Sequence, residues 1–156
     1  MGLVICLLIL TLAIPELALA QQSGGQKTPG TFKKEELAQM LAPIALYPDP
    51  LLAQIFMAST YPIEVVQAAR WVKENQNIKG DQLEAALKKK NWDVSVKSLA
   101  HFPEVLTKMS EEIEWATKLG DAFMAQQKDV MDMVQELRAK ARAEGNLKTT
   151  KEQNDI

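Results

Sequence analysis

His101 is the only histidine in the chain, and an imidazole titrates closest to neutral pH of the ordinary side chains. It has the chemistry of a general base, and a hydrolytic triad would then need a serine within its reach. Beyond residue 20 the serines are Ser23, Ser59, Ser95, Ser98 and Ser110, and none stands in the Gly-x-Ser-x-Gly turn that exposes a nucleophile. His101 lies between Ala100 and Phe102-Pro103. That is a junction between helices, where a capping or surface role fits better than catalysis. Carboxylates are the second candidates. Glu111, Glu112 and Glu114 share one helical turn with Glu104 shortly before, and Asp129, Asp132 and Glu136 share a face at i, i+3, i+7. Such acids can hold a hard cation or act as the acid and base of glycoside hydrolysis. Neither a calcium-loop spacing nor a Glu-x-x-His pair accompanies them, and a lone histidine rules out a multi-histidine metal site. Lys108, Lys118, Lys128 and Arg138 lie close enough in sequence to pair with these acids on a solvated face, and we read them so.

The methionines Met40, Met57, Met109, Met124, Met131 and Met133 do not gather on one helical face, and they read as core filling rather than a copper site. No cofactor is expected. Five aromatic residues, Tyr47, Tyr61, Trp71, Trp92 and Trp115, fall at or near helix junctions. Rings in such places either line a groove for an apolar, glycan or peptide ligand or plug the gaps between short helices; plugging is the favoured reading.

The elements that position these residues are helical throughout. Leu37, Met40, Leu41 and Ile44 mark one face of a helix from about Lys33 to Ala42, which Pro43 ends or kinks. Asp49-Pro50 opens a second helix with Leu51, Leu52, Ile55 and Phe56 inside. Thr60-Tyr61-Pro62 opens a third, running to about Asn75 with Glu64 in its first turn. Asp81 caps a short helix that closes on Lys88-Lys89-Lys90, and Asp93 caps another through about Ala100. From Phe102 the apolar seam Leu106, Met109, Ile113, Ala116, Gly120, Phe123, Gln127, Val130, Val134, Leu137 and Ala141 alternates steps of four and three. This is the pattern of a coiled coil or helical hairpin. Gly120-Asp121 reads as a stop and a cap, which predicts two helices, about 103–119 and 121–143, with Gly145 ending the second.

Residues 3 to 14 form an uncharged apolar run, followed by Pro15 and the Ala18-Leu19-Ala20 cleavage pattern. The expectation is a secretory signal peptide cut between Ala20 and Gln21, although no Lys or Arg precedes the run. The run is short for an uncleaved membrane anchor, which needs about 20 apolar residues. Cys6 lacks the small residue before it that a lipoprotein site requires. Cleavage removes that sole cysteine, leaving no thiol and no disulfide. It also removes Glu16 alone among charged residues, so 18 basic side chains face 19 acidic ones, a net charge of about −1. That balance argues against nucleic acid and against an acidic membrane surface. A chain of this size buries enough surface to fold without disulfides.

The block from Leu41 to Val66, with its two Tyr-Pro junctions, is distinctive. Together with Trp71-Val72-Lys73, Asn91-Trp92-Asp93, Ser95-Val96-Lys97, Phe102-Pro103, Trp115, Leu119-Gly120, Gln126-Gln127, Asp129-Val130-Met131, Val134-Gln135, Leu137-Arg138 and Gly145-Asn146-Leu147, it resembles DUF3300, a bacterial domain family of unknown function. The likeness covers about residues 34 to 150. It implies an exported, helix-rich envelope protein and carries no known activity. Proteins of this kind usually continue past Gly145-Asn146-Leu147 into a tail rich in Pro, Tyr, Val and Gly. Here the sequence stops at Ile156, so no role of that tail is carried over.

The expectation is therefore an all-α, compact bundle of six to seven mostly short helices with a C-terminal helical hairpin or long helix pair. Residues 1–20 form the signal peptide, 21–31 a flexible leader, 32–145 the helical domain and 146–156 a polar tail. The favoured function is a non-enzymatic interaction or scaffold domain, periplasmic or secreted, meeting the membrane only through the signal segment. Its candidate surface comprises Tyr47, Tyr61, Trp71, Trp92, Trp115, Val130, Val134 and Leu137. The partner is an unknown envelope protein or a second copy meeting the C-terminal helices. The competing readings are a hydrolase acting on an envelope polymer with acids near the tryptophans, and a membrane-held protein that keeps residues 3 to 14.

Overall fold

The computed structural model describes residues 31–145; the expected signal peptide, nearly all of the expected leader and the polar tail lie outside the described residues. Within them the chain forms eight α-helices and no strand. These are α1 (Lys34–Leu41), α2 (Asp49–Ala58), α3 (Pro62–Glu74), α4 (Gly80–Lys88), α5 (Val94–Leu99), α6 (Pro103–Glu111), α7 (Ile113–Ala125) and α8 (Gln127–Ala143). The all-α expectation holds, with one or two helices more than the sequence pattern predicts.

Local chemistry explains half of the starts. Pro50, Pro62 and Pro103 occupy first turns, where a fixed φ suits the helix and no internal partner for an N–H is lost. Asp93 caps α5, its carboxylate accepting from the Ser95 amide at 2.8 Å. Gly145, with φ +75°, takes the left-handed turn just beyond α8 and donates to the Arg142 carbonyl at 3.1 Å. Two expected caps shift, to Pro48 from Asp49 and to Lys79 from Asp81. Asp49 lies inside the first turn of α2 behind Pro48, and α4 begins at Gly80, one residue before Asp81.

The C-terminal region departs from the expected pair. It forms three helices, broken at Glu112 and Gln126, while Gly120 sits in the middle of α7. Gly120 is no stop because its missing side chain serves a contact. A Cβ placed there would stand 2.5 Å from the backbone oxygen of Ser59, at the end of α2. The glycine lets α7 lie directly against that turn.

That approach makes α7 the central element, in contact with α1, α2, α3, α6 and α8. Around it α2 packs on α5, α3 on α6, and α1 on α8. Phe56 of α2 and Phe123 of α7 stack with ring centroids 5.1 Å apart. Leu41, Ile44, Leu52, Ile55, Val65, Val96, Leu99, Leu106, Met109, Leu119 and Val130 complete the buried interior. Each such side chain contributes about 1.5–3 kcal/mol on removal from water. Ser59 is buried too, and its hydroxyl is satisfied by the Ile55 carbonyl at 2.7 Å. Helix α4 lies at the periphery and contributes Leu83 and Leu87.

Candidate functional site

Trp115 stands in the first turn of α7, and its indole N–H donates to the Met40 carbonyl at 2.9 Å. Met40 is in the last turn of α1, where a helix leaves carbonyls without internal partners. The bond therefore fixes the end of α1 to the start of α7. The other end of α1 is fixed by Gln126, at the break between α7 and α8. Its Oε1 accepts from the Phe32 amide at 2.6 Å, and its Nε2 donates to the Phe32 carbonyl at 3.2 Å and to Asp129 at 3.1 Å. Between these two attachments runs an open groove of about 800 Å³. Phe32, Met40, Ile113 and Trp115 give it an apolar lining, while Glu36, Gln39, Glu111, Glu112, Glu114 and Lys118 give it polar edges. Lys108 reaches toward it from α6, with Nζ 2.8 Å from the Glu112 carboxylate and 5.3 Å from the centre of the Trp115 ring.

The aromatic residues expected at a common surface divide among separate settings. Trp71 and Trp92 meet edge to face at 6.0 Å, and the Lys90 ammonium lies 4.9 and 5.2 Å from their centres. Gln67 accepts the Trp92 indole N–H at 3.2 Å. Nearby, Glu64 accepts the Asp93 amide at 2.6 Å. The Ser95 hydroxyl, above all, holds the Asp93 carboxyl below the usual carboxylate range. Burial opposes this as the next largest effect, and the Ser95 and Val94 amides and the Tyr61 hydroxyl add to the lowering. Tyr47 is half-buried in the turn between α1 and α2, a turn held by Arg138 from α8. The guanidinium donates to the Ala45 and Tyr47 carbonyls, each at 2.7 Å, and to Asp49 at 2.6 Å. Trp115 alone among the five lies in the groove.

Val130 and Val134 have no exposed surface, and Leu137 is half-buried. These positions face their own domain, which corrects their place on a candidate surface. Alternating steps of four and three identify an apolar stripe; they do not say whether its cover is another chain or the same one. The α8 acids behave as a solvated face. Asp132 pairs with Lys128, Glu136 with Lys34 at 2.8 Å, and Asp129 with Gln126. Glu136 accordingly raises the Lys34 ammonium above its ordinary pKa. His101 Nε2 lies 2.8 Å from Glu84, joining the turn before α6 to α4. Among the described residues no group of three or more His, Cys, Asp or Glu is arranged to hold a metal ion, and no helix is long and apolar enough to cross a membrane.

Sequence reasoning recorded Glu111, Glu112 and Glu114 but missed that α1 lies opposite them. It missed Phe32, Glu36 and Ile113 as lining residues for the same reason, because no local signal pairs a first helix with a seventh. It also missed Ile63 and Val94, each 73% exposed at the start of a helix.

A family described as "Protein of unknown function (DUF3300)" matches residues 33–156. The chain is 48% identical over 125 residues to "Uncharacterized protein YacH" of Escherichia coli (strain K12); the match covers 80% of this chain and 20% of that protein. The chain thus spans about a fifth of the length of this curated relative. No solved structure matches it.

Proposed function

The chain belongs to the DUF3300 family, and from that membership we propose that it is an exported interaction or scaffold domain of the bacterial envelope, acting by binding rather than by catalysis. The observation that carries this reading is the groove between α1 and the start of α7. It is open to solvent, and both of its walls are fixed by hydrogen bonds between residues 75 and 94 positions apart in sequence. A surface held in shape before a partner arrives loses little conformational freedom on binding. Export is supported by the apolar run of residues 3 to 14 and by the Ala18-Leu19-Ala20 pattern.

The test expresses the full chain in a bacterium with a photocrosslinking residue at Gln39 or Glu114, in the groove, or at Gln82, on α4. The expected result is a protein in the envelope fraction whose mass begins at Gln21 and which forms discrete adducts from the groove positions but not from Gln82. Retention of Met1 or Gly2 overturns export. Absence of adducts from the groove positions overturns the interaction reading.

A further inference from the structure

We propose that residues 79–90, with α4 at their centre, form a hinged flap that closes over the Trp71–Trp92 pair and opens as a unit while the rest of the domain stays folded. The flap is independent of the groove between α1 and α7.

Both ends of the segment are tied to α3. Before it, Asn75 Nδ2 donates to the Trp71 carbonyl at 2.8 Å, and the Ile78 amide donates to the Asn75 carbonyl at 3.0 Å. After it, Gln67 accepts the Trp92 indole N–H, and Glu64 accepts the Asp93 amide. Between these ties α4 packs along no other helix. Leu83 and Leu87, one turn apart, are its buried side chains, and most of the others are exposed. Lys79 and Asn91, at the two margins of the segment, are exposed as well. A helix of nine residues is too short to be stable by itself. Its order therefore comes from being seated, and unseating it gives up only a few contacts. Units attached in this way open locally, ahead of global unfolding.

Two polar contacts latch the flap. Glu84 lies 2.8 Å from His101 Nε2, at the turn between α5 and α6. The Lys90 ammonium lies 4.9 Å from the centre of Trp71 and 5.2 Å from that of Trp92. Lys90 travels with α4, because its amide donates to the Leu87 carbonyl at 3.0 Å. Each latch is a surface contact and holds weakly by itself. When the flap is closed, the ammonium stands over both half-buried rings. When it opens, the ammonium is withdrawn and the indole pair faces solvent. The flap thereby sets how much of the two rings a solute can reach.

The experiment is hydrogen exchange of the purified chain, followed amide by amide by NMR. Amides 84–90 are expected to exchange about tenfold faster than those of α7, or more, and to respond little to dilute urea, since a local opening exposes little surface. Lys90→Ala and Glu84→Gln should each speed that exchange about threefold and leave α7 unchanged. Glu136→Gln, which breaks the pair with Lys34, should not alter it. Leu83→Ala with Leu87→Ala should abolish the protection of 84–90, keep a cooperative thermal melt and raise acrylamide quenching of the tryptophan fluorescence. That rise should vanish when Trp71→Phe and Trp92→Phe are added, which leaves Trp115 as the reporter. Exchange of 84–90 in step with α7, or loss of the melt in the double leucine variant, overturns the flap, because α4 then belongs to the interior. Indifference to both Lys90→Ala and Glu84→Gln, or opening without a rise in quenching, overturns its closure over the tryptophans.

Discussion

Arg138 on α8 and Tyr47 between α1 and α2 lie 91 residues apart in sequence, and Nη2 of the first donates to the carbonyl of the second at 2.7 Å. The same guanidinium binds the Ala45 carbonyl and Asp49, and its side chain is only 13% exposed. One planar cation thus holds the chain reversal from α1 to α2. Arg138→Ala is expected to lower stability by about 3 kcal/mol, because hydrogen bonds to a charged group are lost and partly buried carbonyls lose their donor. Arg138→Lys should recover less than half of that, since an ammonium cannot reproduce three directed bonds from one plane. Urea unfolding of the three proteins checks both statements.

Gly120→Ala is expected to lower stability by about 3 kcal/mol or to prevent folding, in the manner of an overpacked core. The atom in the way is a backbone oxygen at 2.5 Å, which cannot swing aside as a side chain would. Asp121→Ala, at the exposed neighbouring position, should stay within about 0.5 kcal/mol of the parent. Thermal melts of the pair distinguish a packing effect from any general intolerance of α7.

Val130→Asp and Val134→Asp each place a carboxylate where no solvent reaches. The expected cost is about 4 kcal/mol or more, against a typical total stability of about 5–15 kcal/mol. Circular dichroism with light scattering should therefore show loss of cooperative unfolding. A well-folded variant altered only in its state of association would contradict the placement of these residues in the domain's own interior.

Asp93→Ala removes the cap of α5 and should cost about 1 kcal/mol at neutral pH. The Asp93 carboxyl has a lower pKa in the folded chain than its ordinary value, with the Ser95 hydroxyl as the main cause. Its contribution is therefore complete above the unfolded value of about 4 and declines as pH falls through the folded value. The stability gap between parent and Asp93→Ala should narrow below about pH 4 and stay constant above about pH 5, as denaturation across that range would reveal.

The legible parts of this fold were those written in neighbouring residues. Prolines at 50, 62 and 103, the cap at Asp93 and the turn at Gly145 act within a few positions, and they placed their helix ends to within a residue or so. The breaks at Glu112 and Gln126 were not legible. The three-four spacing runs through both, with only the polar Gln127 weakening it at the second, and neither break is a glycine or a proline. Gly120 misled for the opposite reason. It looks like punctuation, yet its use depends on Ser59, 61 positions earlier. The groove is invisible to local reading on the same grounds. Its acids stand out in the sequence, whereas the opposing α1 wall is brought there by Trp115–Met40 and Gln126–Phe32.

The pairing of Gln126 with Phe32 has a mechanical corollary. A carboxamide carries an acceptor and donors in one plane, so it engages the Phe32 backbone at both N–H and C=O, as an adjacent strand would. Tension applied to the chain ahead of Phe32 is then borne by the joint between α7 and α8 before it reaches the first turn of α1. A tug on that lead therefore loads the α7–α8 joint together with α1 instead of peeling α1 away by itself.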